Sequence, residues 1–186
     1  MSDRGETDAE WVTGTSRSLY SSRWLDLQLV QVTPPGGEAF EHHVVRMQRV
    51  AVSVVLDEVG ERVLMIRRHR FIDDSWGWEV PVGIVEPGER SIDTGLREVE
   101  EETGWRPRGL ELSLSFQPAI GIADSPHDVL SGRGADLIGA PTDRTEAAEV
   151  DWIQLSALLP LISDGQIRDG ATLVALLHLL VLRRDA

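Results

Sequence analysis

The chain has 186 residues, with 18 Lys+Arg against 31 Asp+Glu and a formal net charge of −13. Every basic residue is Arg; Lys and Cys are absent. A lysine Schiff base, a P-loop lysine, a cysteine nucleophile, a disulfide framework and a thiolate metal site are therefore excluded, and any metal must sit on Asp, Glu, His or backbone oxygen, which favours a hard ion.

Residues 1–18 are rich in Ser, Thr, Asp and Glu and are expected to be disordered. Residues 19–186 then read as a single domain. Arg23 to Val32 alternates apolar and polar side chains, the pattern of a strand. Pro34-Pro35-Gly36-Gly37 is a turn signal, and Phe40 to Val45 reads as the returning strand, so residues 23–46 are predicted to form a hairpin. Val50 to Leu56 is a β-branched run suited to a buried strand, followed by a turn and another strand over Arg62 to Arg68. A loop is predicted over 73–77 and a short strand over 78–82. The clearest helix lies over 91–103. Leu110 to Phe116 alternates as a strand, 121–134 reads as a loop, 150–153 as a strand, and 155–164 and 170–184 as helices. Strands and helices mixed without a regular βαβ rhythm indicate an α+β fold or a mixed-sheet sandwich.

The acidity argues against a nucleic-acid-coating protein, because phosphate-backbone affinity comes mostly from Lys and Arg. The first residues lack the basic start and apolar run of a signal peptide. The most apolar stretch, Leu173 to Leu182, is interrupted by His178 and is too short to span a bilayer. The expected location is the cytoplasm, with no membrane partner.

Charge concentrates between Gly83 and Trp105, where seven acids face two bases. On a helix, Glu98, Glu101 and Glu102 fall within about 100° of one another. Ile92, Leu96, Val99 and Thr103 gather on a roughly opposite face. Like charges at this spacing destabilise a bare helix, and they sit toward its C-terminus, where the helix dipole is also negative. Three convergent carboxylates of this kind suit a divalent ion; the competing reading is a solvated acidic face. Arg97 lies eight residues after Glu89 and can return to pair with it, tying the preceding Pro/Gly-bounded loop to the helix.

Gly83, five residues, Glu89, seven residues, then Arg97-Glu98-Val99-Glu100-Glu101-Glu102-Thr103-Gly104-Trp105 resembles the Nudix box, with all fixed positions matched. Trp105 stands where an aliphatic residue is usual. The resemblance implies a Nudix-type α/β/α sandwich with a mixed β-sheet, here with an N-terminal β-hairpin extension over residues 19–47. It also implies a Mg2+-dependent hydrolase, with Mn2+ as a substitute. It makes Glu98 and Glu102 the main metal ligands, Glu101 a direct or water-mediated ligand, and the carbonyl of Val82 a backbone ligand. Glu89 and Arg97 become structural partners, and Gly83 and Gly104 positions where a side chain would hinder the backbone.

Within that family, the hairpin, the stretch Glu41 to Arg46, Arg67-Arg68-His69-Arg70 and Trp78 to Gly83 look like the ADP-ribose and nucleoside-diphosphate-sugar pyrophosphatases. This implies a nucleotide-sugar substrate and a homodimer formed through the N-terminal strands. Trp24 and Phe40 would clamp the nucleobase, and Arg46 and Arg70 would contact phosphate or ribose. The subgroup's Pro-x-Pro-Gly and following loop glutamate are not matched: Pro118 and Gly121 are present, but Ile120 stands at the second Pro and no Glu follows nearby. Asp124 is the first candidate for the base, with His127 and Asp128 as alternatives. Two other functions stay open: a Nudix hydrolase of nucleoside triphosphates or dinucleoside polyphosphates, and a non-catalytic nucleotide-binding sensor on the same fold.

Overall fold

The computed structural model describes residues 10–142 and 148–184. Along the chain run β1 (Val12–Ser21), β2 (Leu25–Thr33), β3 (Phe40–Met47), β4 (Val50–Leu56), β5 (Arg62–Arg70), β6 (Ser75–Glu79), β7 (Val82–Ile84) and α1 (Ser91–Thr103). Then follow β8 (Trp105–Pro107), β9 (Glu111–Phe116), β10 (Ala123–Asp124), β11 (His127–Arg133), β12 (Ala135–Leu137), β13 (Glu149–Gln154), α2 (Leu155–Ser163) and α3 (Gly170–Arg184). These fall into two compact units: one of residues 1–48 and 119–125, the other of residues 49–118 and 126–186.

The first unit is a four-stranded sheet in the order β1-β2-β3-β10. β1 to β3 form an antiparallel meander, and β10 adds a short parallel pair, Ala123 opposite Val45 and Asp124 opposite Arg46. The predicted hairpin is therefore a three-stranded meander. Its first strand occupies Val12–Ser21, beginning inside the 1–18 segment predicted to be disordered; residues 1–9 of that segment lie outside the described residues. A Ser/Thr-rich run has little apolar surface to reveal a strand. The register with β2, from Val12 opposite Thr33 to Ser21 opposite Asp26, supplies the order.

The second unit is a seven-stranded mixed sheet. The path β13-β5-β4-β11-β9 carries β6 on β5 and β7 on β4. The parallel pair β4–β11 lies inside the sheet. Residues alternate between its faces as strand geometry requires. Ala51, Val55, Leu64 and Leu130 pack with Val99 of α1. Val52, Val54, Val63 and Met65 pack with Leu158 of α2 and Ala175 and Leu176 of α3. Helices thus cover both faces, giving the α+β sandwich expected. Full burial of each of the Val, Leu and Met side chains among these stabilises the fold by about 1.5–3 kcal/mol. Among the described residues, no helix is long and apolar enough to cross a membrane.

Two loop predictions are corrected. The segment predicted as a loop over 121–134 contains β10 and the interior strand β11. Val129 and Leu130 are buried, and neighbours on both sides of β11 override its Gly, Ser and Asp content. The loop predicted over 73–77 ends sooner, with β6 starting at Ser75. The strand predicted over 78–82 is split: β6 ends at Glu79 and β7 begins at Val82, where it pairs with Val52.

Candidate active site

The site is built on the α1 face of the second sheet. α1 follows the tight turn around Gly88, and Arg90 stands at its N-cap without a side-chain cap. At its other end Gly104 takes φ 75° and donates its N–H to the carbonyl of Glu100. A Cβ there would also lie 2.3 Å from the carbonyl oxygen of Gly139, so glycine is required twice over. Ile138 and Thr142 donate backbone N–H groups to the carbonyls of Gly104 and Glu101, fixing the following segment against the end of the helix.

The three box carboxylates do not share one environment. Glu101 is half-exposed and Glu98 mostly covered, whereas Glu102 is 1% exposed. One guanidinium nitrogen, Nη1 of Arg97, donates to Glu98 Oε1 at 2.7 Å and to Glu101 Oε2 at 3.0 Å. The same arginine reaches both oxygens of Glu89, at 3.4 and 3.5 Å. Burial opposes the charge on Arg97, but the carboxylates of Glu89, Glu98 and Glu101 outweigh it and raise the pKa above the ordinary arginine value. The Thr94 hydroxyl, then Arg97 and the Glu86 N–H, hold Glu89 below the usual carboxylate range. Glu89 and Arg97 thus join loop to helix.

Gly83, on β7, touches the trio from the other side. A Cβ at this position would lie 2.1 Å from Cγ and 2.3 Å from Cδ of Glu98. The absent side chain is the space that Glu98 occupies. Glu102 is met by Arg68 of β5, whose Nη2 donates to Oε1 at 3.0 Å, while Oε2 accepts the Val82 N–H at 3.3 Å.

Arg68 and Arg70 point to the α1 face because they lie two and four residues after Ile66 on an alternating strand. Glu79, opposite Ile66 on β6, faces the same way. It accepts from Arg70 Nε at 2.9 Å and Nη2 at 2.5 Å and stands 3.9 Å from Arg68 Nη1. Arg70 keeps its side chain 47% exposed. Sequence reasoning missed Arg68 and Glu79, since a charge on a strand normally means a solvent face. The alternation of Arg68 and Arg70 with Leu64 and Ile66 was the available signal.

Asp128 is a buried structural carboxylate. Its Oδ1 accepts from Arg49 at 2.9 Å and from Ser115 at 2.7 Å, and its Oδ2 from Ser91 at 2.6 Å. Burial raises its pKa, but the two hydroxyls and Arg49 outweigh that and hold it below the usual carboxylate value. A carboxylate beside Ser91, the first residue of α1, also complements the helix dipole. His127 stacks obliquely on Phe116, ring centroids 5.2 Å apart.

In the first unit, Asp124 accepts from Arg46 Nη1 at 2.9 Å, and Arg46 Nε donates to Gln28 at 2.9 Å. Trp24 is exposed, with the Arg23 guanidinium 4.1 Å above its ring. A cleft of about 310 Å³ is lined by Arg23, Trp24, Asp26, Arg46 and Met47. Phe40, also exposed, meets Trp11 and His42 edge-on. The second unit therefore brings together Val82, Gly83, Glu89, Arg97, Glu98, Glu101, Glu102, Gly104 and Arg70. The first holds Trp24, Arg46 and Asp124 near one another. A larger cleft of about 530 Å³, between Arg108, Glu111, Arg133 and Leu179, holds none of these residues.

Among the described residues, no three His, Asp or Glu side chains are gathered closely enough to hold a metal as they stand. The donor chemistry nonetheless fits a hard cation, because two box carboxylates already share one positive group and all the donors are oxygen.

The NUDIX domain model matches residues 47–173. This chain belongs to the Nudix family. It is 44% identical over 170 residues to the CMP-5'-(N-acetyl-N-hydroxy-3-aminopropyl)phosphonate hydrolase of Streptomyces rubellomurinus, covering 91% of this chain and 82% of that one. It is 29% identical over 170 residues to the ADP-ribose pyrophosphatase of Bacillus subtilis, covering 90% and 91%. A solved ADP compounds hydrolase shares the fold, with a TM-score of 0.82 at 15% identity over 97% of this chain and 98% of that one. The complete box and these relatives make the chain a Nudix pyrophosphohydrolase, similar to ADP-ribose pyrophosphatase. Nudix hydrolases generally work with divalent metal ions.

Proposed function

We propose that this Nudix enzyme uses Mg2+, with Mn2+ as a substitute, to hydrolyse the pyrophosphate of a nucleoside diphosphate linked to a sugar, with ADP-ribose as the type substrate. The observation that carries the reading is the sharing of Arg97 by Glu89, Glu98 and Glu101, an excess of carboxylate over cation at the box. Glu98, Glu101 and Glu102 would hold the metal, with the Val82 carbonyl. When bound, the metal lowers the pKa of a water and neutralises phosphate oxygens. Hydrolysis would join a water oxygen to phosphorus as the bond to the bridging oxygen breaks, with an enzymic base taking the water's proton and a nucleoside monophosphate and a sugar phosphate leaving.

The half-exposed fork of Arg70 suits phosphate, since it is planar and always charged. Trp24 and Phe40 are assigned to the nucleobase and Arg46 to ribose or phosphate. With Asp128 engaged by three donors, the base is assigned to Asp124, with His127 as the alternative. β1 to β3 are assigned to a homodimer contact, and the enzyme to the cytoplasm.

A second reading is favoured by the 44% identity to the Streptomyces enzyme: a substrate in which CMP is joined to a phosphonate. Both share the nucleotide half. The test is purified protein with Mg2+ and a panel of ADP-ribose, other nucleotide sugars, a CMP-linked phosphonate and nucleoside triphosphates, with products resolved. AMP plus ribose 5-phosphate supports the first reading, and CMP plus free phosphonate the second. Release of pyrophosphate or orthophosphate from triphosphates alone would overturn both.

A further inference from the structure

Glu102 is 1% exposed and Arg68, its partner from outside the box, 5%. A carboxylate so far from water is costly unless a cation meets it with good geometry. Arg68 does so from β5, with Nη2 at 3.0 Å from Oε1. Its own charge is met in turn by Glu79, whose side chain is 4% exposed, and Glu79 carries Arg70 on both oxygens. Charges therefore alternate from the surface inward as Arg70, Glu79, Arg68 and Glu102, two positive and two negative.

We propose that Arg68 is the positioning residue of the metal site: its guanidinium fixes one oxygen of Glu102 and aims the other at the divalent ion. The proposal rests on the reading of Glu102 as a metal ligand. An ionised carboxylate has acceptor sites for both partners at once. The planar fork of an arginine sets the plane of the carboxylate as well as its place, which an ammonium point charge does not. Glu79 has a separate part. A guanidinium beside the site repels a divalent ion, and Glu79, 3.9 Å from Arg68 Nη1, lessens that repulsion. Oε2 lies on the Val82 side, where its N–H reaches it at 3.3 Å, so the aimed oxygen faces the start of the box.

The test uses Mn2+ alone as the probe, with binding to the full chain followed by the electron paramagnetic resonance signal of the free ion. Arg68→Met is expected to weaken Mn2+ binding by about 10-fold or more, the usual effect of removing a group that orients a ligand. Turnover should fall while the substrate KM stays close to wild type. Arg68→Lys, which keeps the charge but not the fork, should recover part of the affinity. The double variant Arg68→Met/Glu79→Gln restores charge balance without restoring aim, and should stay weak; recovery of wild-type affinity there would overturn positioning in favour of charge alone. Unchanged Mn2+ affinity in folded Arg68→Met overturns the proposal. If that variant does not fold, unchanged affinity in Arg68→Lys does so instead. Glu98→Gln and Glu102→Gln serve as the control: if neither weakens Mn2+ binding, the metal-site reading has failed and this proposal falls with it. Failure of Arg68→Met alone leaves the metal site standing.

Discussion

The two ends of α1 use the same kind of residue for opposite purposes. At the N-terminal end, the single carboxylate of Asp128 receives two hydroxyls and one guanidinium. Toward the C-terminal end, one guanidinium, that of Arg97, is divided among Glu89, Glu98 and Glu101. The first cluster has more donors than charges, and it ties α1 to β9, β11 and Arg49, the residue before β4. The second has more charges than cations. Asp128, buried, has a full set of partners, whereas Glu98 and Glu101, only partly covered, share one cation with Glu89.

The strongest way to break this contrast is at Glu98. Glu98→Gln should lower turnover by about 100-fold or more with little change in melting temperature, because it removes charge from the over-filled cluster. Full activity would show that Glu98 is not a metal ligand. Asp128→Asn is the opposite case. It should cost about 2 kcal/mol of stability by denaturant titration, with the activity of the folded fraction kept. Loss of activity at unchanged stability would move Asp128 into the chemistry.

Gly83→Ala tests the space that Glu98 occupies. The added methyl has to displace Cγ, so an activity loss of about 10-fold is expected. The pH dependence sharpens the N-terminal cluster. The pKa of Asp128 is depressed from its ordinary 3.8, so its stabilisation is present above that value and is lost as pH falls through the lower folded-state value. Acid melts of wild type should show that loss and Asp128→Asn should not. The smallest effect is expected for Glu100→Ala. This box residue pairs with Arg106 at the surface, and its loss should shift the melting temperature by about one or two degrees and leave turnover alone.

Much of the second unit was legible because its signals are local. The helix over 91–103 is announced by its apolar period and by Gly104, and the box by fixed spacings. β4 is a valine-rich, nearly continuous β-branched run, and both of its bounds were read correctly. β11 was not legible. Its identity as an interior strand depends on β4 and β9, which lie far from it in sequence. The same holds for Asp124, whose partner Arg46 belongs to a distant strand. The trio was expected to present its carboxylates together. Helical angles place them on one side, but Glu102 also meets Arg68 of β5 and Val82 of β7 and is buried, while Glu101 stays half-exposed.

The parallel pairing of β4 with β11, Val50 opposite His127 through Leu56 opposite Arg133, also sets an order of assembly. During synthesis the whole box leaves the ribosome while one edge of β4 still lacks its neighbour. Non-local parallel pairs close slowly and leave apolar edges open to other chains in the interval. The Asp128 cluster forms only when β11 docks, since Arg49, Ser91 and Ser115 all wait for that carboxylate. Its closure thus marks the docking of β11, and refolding of Asp128→Asn should slow at that step more than at the formation of α1.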